Sequence, residues 1–105
     1  MKISLLAAMF VLSALTTPVR AQDPVEHGRA LVQEFCAECH AIGAQDESPD
    51  KEAPPLRDIS RSFDLDTLLR ELVRGISSNH PDMPQVKFSP QNARDVRAYL
   101  RTIQK

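Results

Sequence analysis

The chain predicts an all-α fold, with three main helices and long loops in one small domain. Three observations carry this. Apolar residues recur at helical spacing in three separate segments. No period-2 run is long enough to build a sheet, and there is no internal repeat. Two proline-bearing stretches, Gly43–Ser62 and Ser77–Phe88, separate the helices. A loop of about twenty residues in a small domain is unusual unless it wraps something.

The first segment stands apart from the fold. Met1-Lys2 is a short charged start, and Ile3–Leu15 is a thirteen-residue run broken only by Ser4 and Ser13. Thr16, Thr17 and Pro18 follow, then the small-residue signature Val19-Arg20-Ala21. This is the layout of a secretory signal peptide covering residues 1–21 and cut after Ala21. An uncleaved anchor is the competing reading, but thirteen residues is short against the ~18 needed to span a bilayer. The mature chain, residues 22–105, then carries no membrane span and locates to the periplasm.

The first helix has Gly28, Leu31, Val32 and Phe35 on one face, with Asp23 and Pro24 as cap and first-turn residue. The second carries Leu65, Leu68, Leu69 and Leu72, with Asp64 as cap. Arg70, Arg74 and Gly75 give it a cationic last turn and a stop, while Ile76, on the same stripe, extends the helix a little past that stop. The third starts at Ser89-Pro90, a cap followed by proline at the first helical position. Val96, Tyr99, Leu100 and Ile103 form its apolar stripe, while Arg94, Asp95, Arg97 and Arg101 are assigned to water. All three stripes read as core packing.

The whole chain has 13 basic and 14 acidic residues, a net charge of −1. Removing Lys2 and Arg20 with the leader leaves eleven basic residues and a net of −3. The charges are interspersed, with no basic stripe of the kind that binds nucleic acid. A mature chain of 84 residues has a poor surface-to-volume ratio and often needs a metal, disulfide or cofactor.

The most specific motif is Cys36-Ala37-Glu38-Cys39-His40, which spells C-x-x-C-H, the attachment site of a c-type haem. Two thiols on one helical turn suit the two vinyl groups of the porphyrin, and the adjacent His40 supplies an axial nitrogen to the iron. One covalently attached haem c would give the small core a large apolar plate. A disulfide or redox-active Cys36–Cys39 pair leaves His40 unexplained. A zinc module would want four closed ligands. Its offer here is Cys36, Cys39, His40 and one further histidine.

Met83, in His80-Pro81-Asp82-Met83-Pro84, is the one methionine left after leader removal. The flanking prolines reduce the entropy lost in fixing its sulfur. It is the candidate for the second axial position, and methionine there makes a redox carrier. His80 competes, and would give bis-histidine ligation with a lower potential. His27 reads as a surface residue with no assigned role.

The order of these features resembles a small class I, monohaem cytochrome c of the bacterial periplasmic type, over essentially the whole mature chain. The resemblance implies the cytochrome c fold, wrapped around the haem. Gly28, eight residues before Cys36, matches the glycine that lets the first and last helices approach closely. Tyr99 matches the aromatic it faces. Val32 stands where many members have a bulkier aromatic. Pro54-Pro55-Leu56 resembles the family's Pro-x-Leu turn, whose proline carbonyl accepts a hydrogen bond from the iron-bound histidine. Pro54 is the candidate for that role, although Ala53 precedes it where glycine is frequent. The chain has no tryptophan to bind a propionate. Arg57 and Arg61 are the substitutes, unless both are solvated surface arginines.

The implied function is electron transfer rather than enzyme catalysis. Periplasmic one-electron exchange would run between ferric and ferrous iron, with His40 and Met83 as axial ligands. Implied partners are the haem-attachment machinery and redox proteins. The latter include a periplasmic dehydrogenase, a cytochrome bc1-type complex or a terminal oxidase. The alternative is a small haem subunit, or a five-coordinate haem protein that senses or reduces a small ligand.

Overall fold

The computed structural model describes residues 11–14, 22–76 and 80–105. The expected leader and its cut site lie outside the described residues, apart from 11–14, which form no regular element. The element order is α1 (Pro24–Phe35), a 3-10 helix (Leu56–Arg61), α2 (Leu65–Arg74) and α3 (Pro90–Ile103). Among the described residues there is no strand, only an isolated antiparallel bridge between Ile76 and Val86. No helix among them is long and apolar enough to cross a membrane.

Each α-helix begins where a local cap satisfies an orphan backbone donor. The Asp23 carboxylate accepts from the Val25 N–H at 3.0 Å, and Asp64 accepts from Asp66 at 3.1 Å. Ser89 Oγ accepts from Asn92 at 3.1 Å, with Pro90 placed where no N–H is needed. Gly75 ends α2 at φ +102°, a left-handed conformation that a side chain would strain. The expected continuation of the helix into Ile76 does not occur. Ile76 turns into the bridge, donating to Val86 at 2.8 Å and accepting from it at 3.3 Å. The stripe continues because Ile76 still packs on the core.

The core lies where α1, α2 and α3 converge. Val32 is fully buried, surrounded by a cluster that includes Leu31, Leu68, Leu72, Val96, Tyr99 and Leu100. The α1–α3 crossing is backbone against backbone. A Cβ on Gly28 would sit 1.8 Å from the Asp95 carbonyl oxygen and 2.5 Å from its carbon. The atoms nearest to Gly28 are thus those of the Asp95–Val96 peptide, one turn before Tyr99. The Tyr99 hydroxyl donates to the Ile42 carbonyl at 2.5 Å and ties α3 to the loop after the C-x-x-C-H motif.

Two expected surface residues belong to this crossing. Asp95 is only 6% exposed. Its carboxylate lies 2.6 Å from His27 Nδ1 and accepts from Gln91 Nε2 at 3.0 Å. The period that put Asp95 on the outer face did not account for the close approach at Gly28, which lays α1 over it. Arg97 and Arg101 do reach outward, and both meet Asp66 of α2, at 2.7 and 3.3 Å.

Candidate functional site

The chain continues past α1 in one further helical turn. Cys36 N–H donates to the Val32 carbonyl at 2.9 Å, and His40 N–H donates to the Cys36 carbonyl at 2.9 Å. That turn brings Cys36, Cys39 and His40 to the wall of one cavity of about 850 Å³. The 80–84 loop reaches the same cavity and contributes Met83 and Pro84. Its base is fixed by the Ile76–Val86 bridge and by Phe88 N–H donating to the Leu72 carbonyl at 2.8 Å. Val32, Leu56, Leu68, Leu72, Val96 and Leu100 supply apolar wall. Phe35 and Phe88 meet edge to face at 5.2 Å beside the cavity.

His40 is oriented by the second long loop. Its Nδ1 lies 2.7 Å from the Pro54 carbonyl oxygen. A carbonyl can only accept, so Nδ1 carries the proton. In the neutral ring this leaves the lone pair on Nε2, the nitrogen a metal would take. The loop that presents Pro54 is itself held. Leu56 N–H donates to the Ala41 carbonyl at 2.9 Å, and Asp50 N–H donates to the Cys39 carbonyl at 3.1 Å. The 3-10 helix follows directly, with Pro55 at its cap.

Both cysteines are free thiols. Burial pushes the Cys36 thiol up to about 11, so it is held neutral. Among the described residues no three His, Cys, Asp or Glu side chains form a metal-holding group, and a closed zinc centre needs four ligands. A cavity of this size lies within the ~300–1,000 Å³ typical of small-molecule and cofactor sites. It is mainly apolar, and Cys36, Cys39, His40, His80 and Met83 stand among its lining residues. Those groups fit a porphyrin held by thioether bonds and ligated through nitrogen and sulfur.

The two arginines expected at the propionates stand outside the cavity lining. Neither Arg57 nor Arg61 lines the cavity. Arg57 Nη1 donates to the Asp46 carbonyl at 2.5 Å and stands 3.9 Å from the Asp46 carboxylate. Arg61 is exposed in the last turn of the 3-10 helix. The cavity wall instead carries the carboxylates of Glu38, Asp50, Glu52, Asp58, Glu71 and Asp82, with no Lys or Arg among its described residues.

Sequence reading did not single out Glu52, yet it hydrogen-bonds His80 Nε2 at the cavity wall. The hydrogen bond to Glu52 is the main reason the His80 imidazole is pushed above its ordinary value, with Glu52, Asp82 and Asp50 adding charge. No local pattern could have found a pair separated by 28 residues.

Comparison with known proteins is consistent with this site. The family model described as cytochrome c matches residues 25–104. A protein named cytochrome c-553-like from Synechocystis sp. is 32% identical over 78 residues, covering 74% of this chain and 68% of that protein. A cytochrome c-552 from Bradyrhizobium diazoefficiens is 26% identical over 77 residues, covering 73% of this chain and 72% of that one. No solved structure matches.

Proposed function

The chain belongs to the cytochrome c family, and on that premise we propose that it is a periplasmic one-electron carrier whose haem iron is held by His40 and Met83. Membership brings electron transfer through a covalently bound c-type haem, and the two attachment cysteines, Cys36 and Cys39, are present. The carrier reading rests on one observation above the others. His40, its ring oriented by Pro54, and Met83 both line the cavity that Cys36 and Cys39 border.

When bound, the haem supplies a one-electron iron couple that makes and breaks no substrate bond. The residues set how that couple behaves. The Pro54 carbonyl accepts a hydrogen bond from His40 Nδ1–H, which fixes the tautomer and raises the basicity of Nε2. The Met83 thioether is a soft, neutral donor that raises the potential relative to a second imidazole. Val32, Leu68, Leu72, Val96 and Leu100 exclude water from the cavity and disfavour added charge there.

The six wall carboxylates support docking to a positively charged face of the redox partner. Such encounters bury little area. A periplasmic dehydrogenase, a cytochrome bc1-type complex and a terminal oxidase are the partner classes that fit an exported carrier. The leader pattern of residues 1–21 supports export.

The test is the optical spectrum of haem-loaded protein beside its Met83→Ala variant. The expected wild type is low-spin when ferric, with a sulfur-to-iron charge-transfer band. Met83→Ala should lose that band, become high-spin and bind carbon monoxide readily when reduced. An unchanged spectrum and potential in Met83→Ala would overturn Met83 as a ligand.

A further inference from the structure

The two loops that present His40 and Met83 are joined by one side-chain contact. Glu52 stands two residues before Pro54, whose carbonyl holds the His40 ring. His80 stands three residues before Met83, and its backbone carbonyl accepts from the Met83 N–H at 3.2 Å. Glu52 Oε2 and His80 Nε2 are hydrogen-bonded across the gap, and both residues line the cavity.

The imidazole of His80 is committed on both nitrogens. Nδ1 is the acceptor for the Asp82 N–H at 3.3 Å. In that tautomer the proton sits on Nε2 and is donated to the Glu52 carboxylate, a charge-assisted bond. One ring therefore organises the 80–83 turn from within and anchors it to the opposite loop. The same turn carries the Met83 sulfur. Rigid presentation matters here because any excursion of the turn leaves the sixth position open to another donor.

We propose that Glu52 and His80 form a clasp between the loops carrying the two axial ligands, making both of them positioning residues that keep Met83 over the iron. The clasp rests on the reading of Met83 as a ligand. It concerns the rate at which that ligand departs, not its identity. With the clasp closed, a competing donor must wait for the turn to open. With it cut, the Met83 side opens more often while the fold around it is unchanged.

The experiment uses ferric, haem-loaded protein and imidazole as the incoming donor, followed by stopped flow at the sulfur-to-iron band. Glu52→Ala, Glu52→Gln and Glu47→Ala are compared with wild type. Glu47 is an exposed carboxylate of the same loop with no part in the clasp. Exposed pairs have modest strength, so Glu52→Ala should bind imidazole about two- to fivefold faster. Glu52→Gln, which can still accept from Nε2, should recover part of the difference. Hydrogen exchange at the Met83 amide should accelerate in Glu52→Ala, while the denaturant midpoint stays at the wild-type value. A wild-type imidazole rate in Glu52→Ala, with the sulfur band present in the parent, overturns the clasp alone. Absence of that band in the parent overturns the Met83 assignment and the clasp with it. Equal acceleration in Glu47→Ala also overturns the clasp, because loop charge would then be the cause.

Discussion

His27 of α1 and Asp95 of α3 meet at 2.6 Å, and the contact sits beside the point where the Asp95 carbonyl closes on Gly28. A buried carboxylate is costly unless its lone pairs are taken. Here His27 takes one oxygen and Gln91 the other. The pair thus reads as a polar clamp at the helix crossing, placed where an apolar contact has no room.

Asp95→Ala should lower unfolding stability by about 1–3 kcal/mol, because it removes two hydrogen bonds to a buried carboxylate at the helix crossing. Chemical denaturation of the haem-loaded protein measures this. A change within about 0.5 kcal/mol would place Asp95 among ordinary surface positions.

Gly28→Ala should be at least as damaging. Its methyl would need the space of the Asp95 carbonyl oxygen at 1.8 Å, and that atom is backbone. Overpacking typically costs about 1–3 kcal/mol, and a domain of this size loses roughly 4–8 °C in Tm per kcal/mol. A thermal melt within about 2 °C of wild type would show that α1 and α3 slide apart without cost.

Asp66→Ala should do far less, although it removes contacts with both Arg97 and Arg101. These groups are exposed or half-buried, so the loss should stay below about 1 kcal/mol and shrink further in added salt. The comparison with Asp95→Ala under one set of conditions separates burial from mere ion pairing.

Met83→His tests ligand chemistry rather than ligand loss. An imidazole in place of the thioether keeps six-coordination available but should lower the reduction potential. A redox titration reads the shift. An equal or higher potential would contradict sulfur ligation in the parent.

Electron exchange with small reagents should depend on their sign. With six carboxylates and no Lys or Arg on the described cavity wall, a cationic reductant should react faster than an anionic one of similar potential. That preference should fade as ionic strength rises toward 1 M, where the Debye length is about 3 Å. Equal rates at low salt would remove the electrostatic argument for a basic partner face.

The helices were legible because their signals are local. Asp23, Asp64 and Ser89-Pro90 each mark a start within three residues of the donor they cap. C-x-x-C-H was legible because one helical turn contains the whole motif. The 3-10 helix Leu56–Arg61 is too short for a period to declare itself, so it read as loop. Asp95 read as exposed because its histidine partner is 68 residues away, and Glu52 had no visible role because His80 is 28 residues away. Ile76 kept its apolar character but changed its backbone, since the positive φ of Gly75 ends the helix whatever follows. Long-range pairing decides such residues, and no window along the chain contains it.

The crossing at Gly28 also bears on the order in which the molecule comes together. Its two halves lie near opposite ends of the domain, so contact order is high and loop closure must precede any reward from packing. A chain emerging N-terminus first has α1 available early, with nothing to receive it until the fourteen residues of α3 have followed. Val96 and Leu100, two of the cavity's walls, arrive in that same last helix. Until then the cavity is open on their side. Assembly is therefore timed by α3, which closes over α1.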